Sequence, residues 1–133
     1  MLSNLFVMFF GAMAGWFGTH FLTRPLLKVY EYREKVHELV FYTANVGETE
    51  LEDDPKQFED VSDELRRLAA QIAALSASMP PYCKPILSCF HIDLPAASRG
   101  LTGFSNSLAA RDGSKLVHRQ TIENALRLPP LVI

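Results

Sequence analysis

Apolar and polar positions divide the chain into one unbroken apolar run followed by four amphipathic stretches. From Leu2 to Leu22 the sequence LSNLFVMFFGAMAGWFGTHFL holds no Asp, Glu, Lys or Arg, and from Leu5 to Gly18 every residue is apolar or glycine. At ~1.5 Å per residue a helix of this length matches the hydrocarbon core of a bilayer, so the pattern predicts a transmembrane anchor over residues 1–24. A cleaved signal peptide would want a basic residue ahead of the apolar core and a small-residue cleavage site behind it. Here the first basic residue is Arg24, and Ala12-Met13-Ala14 comes too early. A buried helix of a soluble protein is the stronger rival, because Thr19 and His20 blunt the end of the strict run.

Residues 25–133 read as an all-α domain with helices at about 26–46, 55–79, 95–109 and 115–127. In the first, Leu26, Val29, Tyr32, Val36, Leu39, Val40 and Val46 recur at helical spacing. Pro25 stands where proline starts or kinks a helix, Glu31 and Lys35 form an i,i+4 pair, and Gly47 offers a left-handed cap. The second helix opens on Asp54 as cap, Pro55 at the first position and Gln57 as capping-box partner, and it ends at Pro80-Pro81. Its apolar residues Phe58, Val61, Leu65, Leu68, Ile72, Leu75 and Met79 are separated by 3, 4, 3, 4, 3 and 4 positions. That is the period of a coiled-coil seam. The flanking charges show no clean complementary scheme, so an antiparallel hairpin with residues 26–46 is favoured over a homotypic coiled coil.

Tyr82 to Leu94 reads as a packed connector. Beyond it, Asp93 and Pro95 mark a third helix start, with Ala97, Leu101, Phe104 and Leu108 on its apolar face. Gly100 and Gly103 lower its intrinsic helicity, which a closely packed neighbour would compensate. Asp112-Gly113 makes a turn, Ser114 is a candidate cap, and Leu116, Val117, Ile122, Ala125 and Leu126 carry a last helix before Pro129-Pro130. The apolar end Leu131-Val132-Ile133 is expected to be tucked away or against the membrane.

Charge refines this picture. All 13 basic and 15 acidic residues follow the apolar run. Arg24, Lys28, Arg33 and Lys35 cluster just behind it, so the positive-inside rule places the C-terminal domain in the cytoplasm, with the N-terminus outside, at the cell inner membrane. Trp16 is a candidate interface anchor. Residues 48–64 carry nine acids and one base, whereas 65–133 carry eight bases and three acids. Such a layout fits docking within the domain or on a partner better than a nucleic-acid surface.

Candidate chemistry is sparse. Within the span, Gly11 and Gly15 form a small-xxx-small pair and Gly18 extends the same face, where a second helix could approach closely. Asn45, Ser105, Asn106 and Ser107 form a possible polar layer, hydrogen-bonded in the interior or facing a pocket. No His and acid partners accompany Ser105 or Ser107 as a nucleophile would need. Cys83, Cys89 and His91 lack zinc-site spacing, His118 stands apart, and the acidic residues Glu48 to Asp54 lack the glycine and ligand spacing of a calcium loop. Free thiols are the expected state, and no catalytic residue, metal or cofactor is assigned.

The segments FYTANV (Phe41 to Val46), ELRRLAAQIAAL (Glu64 to Leu75) and GLTGFSNSL (Gly100 to Leu108), behind an apolar N-terminus, together resemble a group of small bacterial membrane-anchored helical proteins. The resemblance implies the architecture and brings no activity with it. Two functions are therefore expected to compete. The first is a non-enzymatic anchored protein that self-associates or serves as an accessory subunit of a membrane complex; its partners are the lipid bilayer, further copies or other membrane subunits. The second is a tethered sensor or regulator that binds a small molecule in its helical domain.

Overall fold

The computed structural model describes residues 1–45, 53–108 and 113–129, without the side chains of Ala44 and Asn45. Among the described residues the protein is all-α and contains no strand. Val46, Gly47, Glu48 to Glu52, Asp112 and Pro130 to Ile133 lie outside them.

Helix α1 (Leu2–Phe17) passes through a single π-helical turn (Gly18–Thr23) directly into α2 (Arg24–Asn45). Pro25 therefore neither begins a helix nor ends one. Its ring would collide with the carbonyl four residues earlier, that of Phe21, and it supplies no N–H to bond there. A wider turn just before it relieves the collision. The Thr19 hydroxyl donates to Gly15 O at 2.8 Å and that of Thr23 to Gly18 O at 3.4 Å, so both threonines supply donors to carbonyls around the disturbed turn.

Helix α3 (Pro55–Ser78) starts as Asp54 and Pro55 suggest: the Asp54 carboxylate accepts from the N–H groups of Lys56 and Gln57 at 3.1 and 3.3 Å. Gln57 does not complete a capping box with its side chain. Its amide instead donates to the Tyr42 hydroxyl at 2.7 Å, tying α3 to α2. The connector after Pro80-Pro81 is not all loop, because Lys84–Cys89 form a short helix, α4. Pro85 falls in its first turn, where an N–H is not missed. Helix α5 (Leu94–Asn106) is capped by Asp93, and α6 (Ser114–Leu126) begins behind Gly113, whose φ of 80° makes the turn. Ser114 is thus the first helical residue and not the cap.

The heptad positions of α3 are buried within the subunit: Val61, Leu65, Leu68, Ile72 and Met79 fully, Phe58 and Leu75 in part. The chief partner of α3 is α5 and not α2, so the hairpin expected with residues 26–46 is one side of a larger bundle. Ser62 meets Ser105, and Ser98 Oγ donates to Ala69 O at 2.8 Å, so the two helices run antiparallel. Helix α6 then folds back on α5, with Asp93 N donating to Ala125 O at 2.8 Å. From α2, Val29, Val36, Leu39 and Val40 complete the core. Burial of each such aliphatic side chain contributes about 1.5–3 kcal/mol.

Glycine explains how closely α5 and α6 approach. A Cβ on Gly100 would lie 2.9 Å from Ile122 Cγ1, and one on Gly103 would lie 2.4 Å from two atoms of the His118 ring. The helix-weakening glycines are the positions where α6 lies against α5. Arg33 fastens α2 to the end of α6: its guanidinium donates to Leu126 O at 2.9 Å and Arg127 O at 2.7 Å. Arg127 itself is left-handed, φ 52°, and the cationic fork on the last carbonyls of α6 complements the helix dipole.

Candidate functional site

The apolar helix meets the domain at the π turn, and the contact follows from Pro25. The Phe21 carbonyl receives no donor from position 25 and instead accepts from the Tyr82 hydroxyl at 2.9 Å, with Cys83 Sγ 4.0 Å away. Tyr82 and Cys83 sit between α3 and α4, so the connector docks on the foot of the helix. Cys83 is completely buried, and this burial pushes its thiol above the ordinary value. Cys89 is exposed at the end of α4. Among the described residues no group of three His, Cys, Asp or Glu could hold a metal ion.

Around that foot the side chains change character within two turns. The Trp16 and His20 rings stack with centroids 4.5 Å apart, and Phe17 stacks on Phe21 at 5.3 Å. Arg24 and Lys28 follow one and two turns beyond His20 on the same side. Together with Glu31, Leu75 of α3 and Met79 just after that helix they line an open cavity of about 570 Å³. Among the described residues neither Arg24 nor Lys28 has an ion-pair partner, and His20 Nδ1 has no hydrogen-bond partner. Further along, α2 and the first half of α3 border a wider groove of about 1420 Å³, lined among others by Lys35, Glu38, Tyr42, Asp60, Glu64 and Arg67. There Lys35 stands over the Tyr32 ring at 5.6 Å and makes no ion pair with Glu31.

No family model, curated protein or solved structure matches this chain. Site assignments therefore rest on its own residues.

The glycine face on α1 is open: nothing lies within 4 Å of where a Cβ would stand on Gly11, Gly15 or Gly18. Every residue of α1 is exposed, with Trp16 at 55%. Among the described residues one helix, Leu2–Thr43, is long and apolar enough to cross a membrane.

The polar residues singled out in the third helix do not form one layer. Ser105 is buried, donates to Ser62 O at 3.1 Å, and its Oγ lies 2.9 Å from Ser62 Oγ. Ser107, also buried, donates to Phe104 O within its own turn at 3.1 Å. Asn106 is exposed and accepts from Arg66 at 3.4 Å. The side chain of Asn45 is outside the described ones. Neither cavity above is lined by Ser105, Asn106 or Ser107. The serines fill hydrogen-bonding needs inside the α3–α5 contact, where an unpaired hydroxyl would cost about 1–3 kcal/mol.

Sequence reasoning missed Tyr82, Arg33 and Ser62. For Tyr82 a signal exists: a proline behind an apolar run frees a carbonyl that needs a donor, and the aromatic after Pro80-Pro81 supplies one. Arg33 and Ser62 have none, since their partners stand 93 and 43 positions away.

Proposed function

We propose that the protein is a non-enzymatic, membrane-anchored helical protein that works by association through α1, with further copies of itself or with other membrane subunits. One observation carries this reading: the apolar surface of α1 is entirely unpartnered within the subunit, and it includes an open glycine face at which backbones can come close. The domain behind it buries its own heptad seam and pairs its buried serines, leaving α1 as the large apolar surface that still lacks a neighbour. By the distribution of Lys and Arg, the domain lies in the cytoplasm at the inner membrane and the N-terminus outside.

The test is a pair of substitutions. Gly15→Ile would hold a partner helix away by more than a methyl group's width, removing the packing that drives association where lipid supplies no hydrophobic force. Ala12→Ile, on another side of α1, should be tolerated. Oligomer size or recovery of partner subunits in mild detergent should fall for the first variant only; equal behaviour would exclude the glycine face. A reporter fused after Ile133 should show cytoplasmic activity, and a periplasmic signal would reverse the orientation.

A further inference from the structure

We propose that the cavity at the foot of α1 binds the headgroup of an anionic membrane phospholipid, whose acyl chains run along the apolar surface of α1. The inference rests on the reading of α1 as a membrane span.

Depth is the first argument. Leu2 to Thr23 holds no charged side chain and at ~1.5 Å per residue covers about 33 Å, against a hydrocarbon core of roughly 30 Å. Arg24, the first residue after it, therefore lies where lipid phosphates lie. The exposed Trp16 and the stacked Phe17 and Phe21 precede it by one to two turns, which suits an aromatic belt.

Charge is the second. Arg24 and Lys28 converge on one cavity with a single acid, Glu31, in its lining, and neither base has an ion-pair partner among the described residues. Two unpaired cations beside an apolar helix favour a phosphate over a zwitterionic headgroup whose own ammonium balances it. His20 also lines the cavity, its ring stacked on Trp16 with centroids 4.5 Å apart at the end nearest the apolar helix.

Shape is the third. At about 570 Å³ the cavity has the size of small-molecule sites, and its opposite wall is mostly apolar, with Leu75 of α3 and Met79 and Pro80 just beyond that helix beside the hydroxyl-bearing Ser78. A soluble anion would leave that wall in contact with water, whereas the glycerol and first methylenes of a lipid would cover it. Basic recesses between helices at this depth are a known physical solution for holding anionic headgroups.

The experiment uses the full chain in bilayer discs of phosphatidylcholine doped with phosphatidylglycerol, with native mass spectrometry of the lipids that stay bound. Wild type should retain phosphatidylglycerol in preference to phosphatidylcholine. Arg24→Gln with Lys28→Gln should weaken retention by roughly fivefold per side chain, while Glu31→Gln should strengthen it. Lys56→Gln with Arg99→Gln removes the same charge at exposed positions away from the cavity and should leave retention unchanged. Circular dichroism of each variant shows that the helices persist. Equal retention by the Arg24/Lys28 variant, or equal loss in the Lys56/Arg99 variant, would overturn the site. So would displacement of the lipid by soluble glycerol phosphate at comparable concentration, which would identify a free phosphate ester as the ligand. Failure of the wild-type chain to co-migrate with the discs would overturn the membrane span itself and the site with it. That result is distinct from a chain that co-migrates but keeps no phosphatidylglycerol.

Discussion

Replacing Gly103 by alanine sets two effects of opposite sign against each other. Alanine in a helix interior is favoured over glycine by about 1 kcal/mol, so on propensity alone the variant should be more stable. The structure opposes this. The new Cβ would stand 2.4 Å from Cε1 and Nδ1 of the His118 ring, about 1 Å inside ordinary contact, so either the half-buried ring swings out or α6 withdraws from α5. Overpacking of this kind costs about 1–3 kcal/mol. Because the ring is the far end of a half-buried side chain, swinging it aside lowers that cost, so the net expectation runs from a gain smaller than about 1 kcal/mol to a loss of about 2 kcal/mol in the wild-type background, against the full gain of about 1 kcal/mol when His118 is also alanine. Cys83, completely buried, reports unfolding in a chain carrying Cys89→Ser: its modification by a thiol reagent is followed through a urea titration in mild detergent. A stabilisation by Gly103→Ala of the same size with and without the His118 ring would refute the close α5–α6 contact.

Three further outcomes follow from the same geometry. Arg33→Ala should cost about 2–3 kcal/mol in the same titration, since two charge-assisted hydrogen bonds to the end of α6 are lost, and Arg33→Lys should recover only part because one ammonium cannot reproduce the fork. Ile72→Asp should leave the domain unfolded, because an unpaired carboxylate at a completely buried position costs several kcal/mol against a total stability of about 5–15; a soluble, fully helical variant would show the position is not enclosed. Burial raises the Cys83 thiol above its ordinary value of 9.0, so the unfolded chain loses that proton at lower pH than the folded one; this group's contribution to stability should be level below pH 9.0 and fall above it, and Cys83→Ala should remove that part of the fall.

The sequence by itself determined what depends on near neighbours along the chain. A charge-free run of bilayer length, a 3-4 spacing from Phe58 to Met79, and Asp-x-Pro or Asp-Pro starts at Asp93 and Asp54 each encode a helix locally, and the all-α class follows from them. Gly100 and Gly103 were legible as a demand for a close neighbour, though not which one. Tertiary structure decided what depends on distant residues. The seam of α3 could have closed on α2, on a second copy or on α5, because apolar periodicity marks a face without naming what covers it. The fold settles on α5, where Ser62 and Ser105 pair and Ser98 donates to Ala69 O. The same limit applies at Pro25: the sequence predicted a disturbance, but whether the chain kinks or widens depends on what receives the freed carbonyl. Tyr82, 61 residues away, receives it, and so the apolar helix runs on into α2 and brings Arg24 and Lys28 to the cavity beside α3.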